Sequence, residues 1–449
     1  MRMLSYGVVL GLSLLMGSSC SDDLSISDLK VNEASDSMAG VVCEGDFEYK
    51  GAIPTNPLGE ICTTIQGDLD IEWLEVSDLG NLSNISSVQK NIRIAWNSSL
   101  QNLEGLNNLV SVGGDLEIGP NKQLSNIDSL SHLTRVGGLL ILVSNRMLED
   151  LSGLRGLRSV DGMFFQHNDL LSNLDGLQGI TSLESLILID NHNLSSLDGL
   201  DNLTTIMSGL SIKEHFNLGS IDALRNLSSV GGHVVIDDNW ELNLKGLSSL
   251  KEIGGYFILS KNRTLRNLEG LGSLTSIGQT MKISENKNLV NLVGLGSVSF
   301  QNDVSIRLNE SLVDLTGLEN SSFSASLYIE GNGALTSLAG LENLTTIDTL
   351  TIKSNWILPQ IDHLRTLIQI RGDLYIEHNY LLTNVDGLSS LTSIAHTMKI
   401  KNNMELTSLH GLRNLATVGN VEDFRGQPIE RELCPTNDAV EPRIRQLCS

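Results

Sequence analysis

One residue returns at a fixed interval through most of this chain and constrains its fold more than any other feature. An asparagine, replaced once by histidine, recurs every 23 or 24 residues, shortly after a pair of alternating hydrophobic residues. Leucines fill the space between successive copies, and this combination of period and composition predicts a solenoid. The recurring positions are Asn97, Asn121, Asn145, Asn168, Asn191, His215, Asn239, Asn262, Asn286, Asn309, Asn332, Asn355, Asn379 and Asn403.

Each repeat contains one segment that reads as a strand. The alternation in Asp115-Leu116-Glu117-Ile118 is typical of a strand with one buried face. Only about a dozen residues separate successive strands, and they are rich in Ser, Thr and Asn with a central glycine, so we expect turns and short extended or 3₁₀ pieces there. The sequence therefore predicts a mainly β protein, a right-handed single-stranded β-helix or leucine-rich-repeat-like solenoid of about 15 coils.

The recurring asparagines predict a ladder inside that solenoid. At the corner after each strand the backbone turns inward and leaves N–H and C=O groups without partners, at a cost of about 1–3 kcal/mol each when buried. An Asn side chain carries both donors and an acceptor, so it can satisfy its own corner and the Asn of the next coil. We interpret the column as structural, not catalytic.

The charge of the chain excludes some partners. Its 449 residues carry a formal net charge of −23, without a cluster of Lys or Arg. Such a surface repels phosphate backbones and anionic lipid, so nucleic acid is not an expected partner. We expect membrane contact through a lipid anchor only, and a monomer.

The N-terminal residues predict export. Arg2 precedes an apolar run from Leu4 to Met16 that is too short to span a bilayer, and small residues follow up to Ser19. We therefore expect residues 1–19 to be a signal peptide. Cleavage by the ordinary signal peptidase would give a secreted protein, whereas cleavage just before Cys20 would give an acylated lipoprotein.

The cysteines favour the second outcome. Cys43 and Cys62 lie close together near one end of the chain and Cys434 and Cys448 near the other, so we predict two local disulfides. Cys20 is left over, and lipidation would remove a free thiol from an exported protein. The residues after it, Ser-Asp-Asp, resemble the acidic stretch of surface-exported lipoproteins of the Bacteroidetes group. We therefore expect a lipid-anchored protein exposed on the cell outer membrane.

The repeat defines the remaining domain boundaries. We predict a lipid-anchored flexible tether over residues 20–42, because this Ser/Asp-rich segment carries no repeat. An irregular disulfide cap is expected over 43–65, the solenoid over 66–426 and a second disulfide cap over 427–449, since the open ends of a solenoid must be covered.

The repeat unit, the start "CEGDFEYKGAIPTNPLGEIC" and the phrase "TTIQGDLDI" resemble the receptor L-domain family of leucine-rich β-helices. The resemblance extends from about Cys43 to Gly426. It implies a non-catalytic module that binds extracellular protein ligands or serves in adhesion at the cell surface. Because the coils run on without a cysteine-rich module or a kinase, it does not imply receptor signalling.

No motif for catalysis, metal binding or a cofactor stands out, so we expect no enzyme, metal or cofactor. Some β-helices act on polysaccharides, which makes a carbohydrate-binding or carbohydrate-degrading protein of a glycan-uptake system the alternative. Tyr328 and Tyr375, at the same outward strand position, are the best candidates for sugar contacts. A structural envelope protein is a third possibility.

A candidate binding stripe lies on the strands. The residue between the two inward hydrophobics of each strand faces outward, and in the middle coils it is mostly apolar. Such a stripe either marks an interaction surface or reflects strand propensity alone, or it is covered by the tether. The candidate residues are Ile141, Val143, Phe164, Ile187, Ile189, Val235 and Ile258.

Overall fold

The structure is a computed structural model that describes residues 31–32, 40–51 and 62–422. The predicted signal peptide, Cys20 and the predicted Cys434–Cys448 disulfide lie outside these residues. Within them the chain forms a mainly β solenoid, and no helix there is long and apolar enough to cross a membrane.

The main sheet contains one strand from each coil. Seventeen strands pair in parallel, each with the strand of the next coil, which gives a sheet about 75 Å long at about 4.8 Å per strand. The strands are Phe47–Lys50, Leu69–Glu72, Ile92–Ala95, Leu116–Ile118, Leu139–Val143, Gly162–Gln166, Ser182–Ile189, Thr205–Lys213, Val234–Asp237, Phe257–Ser260, Met281–Ser284, Val304–Arg307, Leu327–Glu330, Leu350–Lys353, Leu374–Glu377, Ser393–Lys401 and Thr417–Glu422.

Many coils add a second short strand before the main one. These two-residue strands also stack in parallel from coil to coil, so the solenoid has more ladder pairing than one strand per coil would give. They are Val42–Cys43, Thr64–Ile65, Ser87–Val88, Ser111–Val112, Arg135–Val136, Ser229–Val230, Glu252–Ile253, Ser276–Ile277, Ser299–Phe300, Ser322–Phe323, Thr346–Ile347 and Gln369–Ile370.

The segment between strands forms turns and 3₁₀ pieces, as the sequence predicts. Successive leucines of this segment lie on the inner side, with Leu103, Leu106 and Leu109 all fully buried. The 3₁₀ turns are Gly80–Leu82, Asp128–Leu130, Ser152–Leu154, Asp222–Asn226, Lys245–Leu247, Asp362–Leu364, Asp386–Leu388 and His410–Leu412.

The N-terminal boundary differs from the expectation. Phe47–Lys50 pairs in register with Leu69–Glu72, so the segment 43–65, expected to be an irregular cap, already contributes one strand to the main sheet. The Cys43–Cys62 disulfide joins this segment as predicted. Val31–Asn32, inside the expected tether, pairs antiparallel with Val42–Cys43. Extended backbone with free donors next to a sheet edge is sufficient for such pairing.

The asparagine ladder is confirmed. All fourteen side chains at the recurring position are fully buried. Asn97 shows the pattern: its Nδ2 donates to the carbonyl of Ile71 at 2.9 Å and to Asn121 Oδ1 at 3.2 Å, and its backbone N–H donates to the same Oδ1 at 3.1 Å. Most of these side chains therefore satisfy a corner of the preceding coil and bind the following coil.

The central glycine of the repeat allows coils to approach closely. A Cβ atom on Gly153 would lie 2.0 Å from the carbonyl oxygen of Ile127 in the preceding coil. Any side chain there would force the two coils apart, which explains why glycine precedes the central leucine in most repeats.

Candidate binding surface

The predicted strand stripe forms as a register column. Ile141 pairs with Phe164, Phe164 with Ile187 and Ile187 with Ser211, and the column continues through Val235 to Ile258. Val143 and Ile189 lie in the next outward column. The stripe is only partly accessible: Ile141 is 9% exposed and the other six side chains are half-buried.

The corner after each strand carries more exposed apolar side chains than the strands do. The residue just before the ladder position has a left-handed backbone in most coils, with φ of 50° to 61° at thirteen non-glycine positions; Pro120, before Asn121, is an exception. Side chains next to the ladder position no longer alternate between inward and outward as they do in the strand. Several of these residues have large side chains that are exposed to solvent. Neighbouring coils bring these side chains into a row along the molecule.

We call this row the corner edge. Within the part of the chain that the structure describes, it holds eleven of the seventeen strongly exposed large apolar side chains, all within two positions of a ladder residue or of Leu74, which stands at that position in the first coil. The eleven are Trp73, Trp96, Met147, Phe216, Trp240, Leu308, Trp356, Ile357, Tyr380, Leu381 and Met404.

All four tryptophans of the chain lie on the corner edge. Trp73 is 56% exposed, Trp96 44%, Trp240 38% and Trp356 54%. Tryptophan is highly buried on average in folded proteins, and the leucine core of this solenoid has space for large aromatics such as Phe165 and Phe257. Exposure of every tryptophan on one edge therefore marks this edge as different from the rest of the surface.

Four side chains from consecutive coils form what we call the aromatic cluster: His192, Phe216, Trp240 and Arg263. The rings of His192 and Phe216 lie 4.8 Å apart, and those of Phe216 and Trp240 lie 4.7 Å apart in an edge-to-face arrangement. The Arg263 guanidinium lies 3.9 Å from the centre of the Trp240 ring. Contacts of these kinds fix the orientation of partly exposed side chains before any partner arrives.

A chain of polar contacts between histidine, aspartate and arginine side chains extends the aromatic cluster toward the N-terminal coils. His192 Nδ1 lies 3.1 Å from Asp169 Oδ1, and Asp169 Oδ2 lies 3.5 Å from Arg146 Nε. On the other side Asp190 lies between His192 Nε2 at 3.2 Å and His167 Nδ1 at 2.9 Å. The corner edge therefore combines apolar and charged groups that neighbouring coils hold in place.

Two further groups of aromatics belong to the corner edge. Trp73 and Trp96 stack nearly parallel with their ring centres 5.3 Å apart. Toward the other end, Trp356, Tyr380 and Met404 follow one another on three consecutive coils, and Leu381 N–H donates to the Trp356 carbonyl at 3.2 Å. We call Trp356, Ile357, Tyr380, Leu381 and Met404 the C-terminal patch.

The ladder itself is interrupted under the aromatic cluster. His215 is fully buried in the ladder column, and its Nδ1 lies 3.3 Å from Asn239 Oδ1. Its Nε2 is buried without a hydrogen-bond partner. Burial is the main cause that lowers the pKa of His215 to about 4, so this side chain is neutral near pH 7.

The outward acidic residues of the strands are occupied in separate local contacts. Glu330 lies 3.4 Å from Arg307, and Glu377 lies 3.4 Å from Lys399. Asp237 accepts a hydrogen bond from the Ser260 hydroxyl. Among the described residues no group of three or more His, Cys, Asp or Glu side chains could hold a metal ion.

The fold can now be assigned. Buried leucines at fixed repeat positions, one parallel strand per coil and a buried asparagine column, interrupted once by His215, occur together along residues 62–422. The chain is a leucine-rich-repeat-like β-solenoid.

The solved structures that this chain is similar to include two of low sequence identity. A crystal structure of an internalin (inlF) from Listeria monocytogenes shares 17% identity, with 78% of this chain and 87% of that chain covered and a TM-score of 0.30. A crystal structure of a TLR13–ssRNA13 complex shares 16% identity, with 86% and 70% covered and a TM-score of 0.25. No family profile and no curated protein sequence matches this leucine-rich-repeat-like solenoid.

The strand pattern in the sequence did not predict the exposed side chains of the corner edge. Period-two alternation predicts which strand residues face outward, but it ends where the left-handed corner begins. The signal lies in the aligned repeats, in which Phe216, Trp240, Trp356, Tyr380 and Met404 all directly follow a ladder residue.

Proposed function

We propose that this solenoid is a non-catalytic binding protein of the cell surface whose corner edge contacts an extracellular protein. The observation that carries the proposal is the exposure of all four tryptophans along one edge of the molecule. Trp, Tyr, Phe, Met and Arg are enriched in protein–protein interfaces, and Trp, Tyr and Arg dominate their binding energy.

The arrangement of the rings favours protein over glycan on this edge. Sugar rings stack on the faces of aromatic side chains, but Arg263 covers one face of Trp240 and Phe216 packs against the same ring. Trp73 and Trp96 likewise stack face to face, so one face of each ring is covered by the other. Each of these tryptophans therefore has one ring face already occupied, which favours the mixed apolar and polar contacts of a protein partner over stacking of a sugar.

Attachment to the outer membrane completes the proposal. We infer that Cys20 carries lipid and that the segment after it links the solenoid to the membrane. A monomer is sufficient for this role, since the edge belongs to one chain. Catalysis is not part of the proposal, because the outward carboxylates are engaged in separate local contacts.

Binding measurements on two double variants test this proposal. The purified protein is tested by biolayer interferometry against a panel of extracellular proteins and a matched panel of polysaccharides. For each protein that binds, we expect Phe216→Ser with Trp240→Ser to weaken binding by at least about tenfold, because truncated hot-spot aromatics cost about 2 kcal/mol or more.

The control variant changes the strand stripe instead. Phe164→Asp with Ile187→Asp alters two half-buried outward side chains on the sheet face, and it should leave binding unchanged. Thermal unfolding of both variants checks that the solenoid is intact. Loss of binding with the stripe variant alone, or binding to polysaccharides only, would overturn the proposal.

A further inference from the structure

A depression lies on the outward face of the main sheet and is lined by none of the residues of the aromatic cluster. It has a volume of about 590 Å³ and forms between three consecutive strands, Met281–Ser284, Val304–Arg307 and Leu327–Glu330. Its volume falls in the range of small-molecule sites, roughly 300–1,000 Å³. The depression exists because two serines stand where the next coil carries a larger side chain: Ser305 aligns with Tyr328, and Ser284 aligns with Arg307.

Two polar groups in this depression are buried without partners. Ser284 is 2% exposed, and its hydroxyl oxygen makes no hydrogen bond within the protein. The Nε of Arg307 is also buried and unpaired, although Nη1 of the same side chain lies 3.4 Å from Glu330. Native proteins leave few buried polar groups unsatisfied, so these two atoms require hydrogen-bond partners that the protein itself does not supply.

The lining balances donors against acceptors. Lys282 and Arg307 supply cationic donors, Glu285 and Asp303 supply carboxylates, and the hydroxyls of Thr280, Ser284 and Ser305 both donate and accept. The two positive and two negative charges cancel, so the depression does not select a charged ligand. Tyr328 adds an aromatic wall, with the Arg307 guanidinium 5.1 Å from its ring centre.

We propose that this depression binds a neutral saccharide unit. Such a ligand offers several adjacent hydroxyls, each a donor and an acceptor, together with apolar C–H groups that pack against the Tyr328 ring beside the Arg307 guanidinium. Ser284 Oγ and Arg307 Nε receive their missing partners from those hydroxyls. This site adjoins the corner edge at Leu308, but none of the residues of the aromatic cluster lines it.

The test combines an array of oligosaccharides with a blocking substitution. Neutral, uronic-acid and sulfated oligosaccharides are screened with the intact protein, and the Kd of each bound neutral sugar is then measured by calorimetry. Ser305→Trp fills the depression from an outward position and should weaken binding at least about tenfold, because a site of this kind must enclose most of its ligand. Tyr328→Ala should weaken binding too, while Tyr328→Phe should retain it.

The matched control is Ser211→Trp. Ser211 occupies the same outward column four coils away and is half-buried like Ser305, so a tryptophan there makes the same change outside the depression. We expect it to leave sugar binding intact. Absence of binding to every neutral saccharide overturns the proposal, as does binding that survives both Ser305→Trp and Tyr328→Ala in variants with unchanged thermal unfolding.

Discussion

His215 Nδ1 lies 3.3 Å from Asn239 Oδ1, and this contact fixes the tautomer of the buried neutral imidazole. The amide nitrogen of Asn239 already donates to the Ile212 carbonyl at 3.0 Å, so its oxygen faces His215 as an acceptor. Nδ1 therefore carries the proton, and the unpaired Nε2 is the basic nitrogen. Where every neighbouring coil has an amide donor, this coil has a buried lone pair.

The first prediction concerns the pH dependence of stability. Burial lowers the folded pKa of His215 to about 4, whereas an unfolded histidine titrates near 6.5. The unfolded state therefore binds more protons between these values, and stability falls as the pH decreases through this window. We expect His215→Asn to remove about 2 kcal/mol of the destabilisation seen between pH 7 and pH 5.

Urea unfolding of both proteins at the two pH values measures this difference. Carboxylates elsewhere titrate equally in both proteins, so only the difference between them reports on His215. At pH 7 the variant should also be more stable, because an amide at position 215 restores a donor to the ladder. Identical pH dependence in the two proteins would show that His215 is accessible to protons when folded.

The second prediction compares a ladder residue in the middle with one at the end. Asn262 donates to the Ile236 carbonyl at 3.0 Å and to Asn286 Oδ1 at 3.3 Å, and its own oxygen accepts from the backbone of Asn239. Asn262→Ala therefore leaves groups unpaired on both neighbouring coils and should cost about 1–3 kcal/mol or more.

Asn403→Ala should cost less. Asn403 binds the Ile376 carbonyl and Asn379, and no later ladder asparagine follows it among the described residues. Chemical denaturation of both variants gives the comparison. Equal and negligible losses would mean that the ladder side chains are hydrated, against the structure.

The third prediction isolates the close approach of neighbouring coils. Gly153 and Gly219 both have ordinary backbone angles, but a Cβ on Gly153 would lie 2.0 Å from the Ile127 carbonyl, whereas nothing lies within 4 Å of one on Gly219. Gly153→Ala should therefore destabilise by about 1–3 kcal/mol through overpacking, and Gly219→Ala should be neutral or slightly stabilising. Thermal unfolding that ranks the two variants in the opposite order would contradict the coil spacing.

The fourth prediction concerns the anchor at Cys20. If this cysteine carries lipid, the wild-type protein fractionates with outer membranes and partitions into detergent, and Cys20→Ser moves it to the soluble fraction. A protein on which no acyl group is found by mass spectrometry, and which fractionates like the variant, would be secreted instead.

The sequence predicted the solenoid more completely than the surface. The regular spacing of the ladder positions from Asn97 to Asn403 predicted the coil length, the ladder and the register of the outward column. Each of these features depends on one repeating position. The corner edge depends on the residues beside that position, for which strand alternation makes no prediction. Phe216 and Trp240, for example, are in contact because they lie 24 residues apart on neighbouring coils.

The depression beside Tyr328 was only partly predictable. Tyr328 itself was a candidate for sugar contact because of its outward strand position. The cavity, however, depends on the small size of Ser284 and Ser305 on the two preceding coils and on the unpaired Arg307 Nε. These relationships require side-chain positions from three coils at once.

The tryptophans provide the most direct test that the corner edge is the binding surface. The protein is labelled with 5-fluorotryptophan, and Trp73, Trp96, Trp240 and Trp356 are assigned in the ¹⁹F NMR spectrum by single Trp→Phe variants. An unlabelled extracellular protein that binds in the interferometry panel is then added. We predict that resonances of edge tryptophans, Trp240 first among them, shift or broaden at saturation. Saturated binding that leaves all four resonances unchanged would place the partner elsewhere on the solenoid and contradict the account.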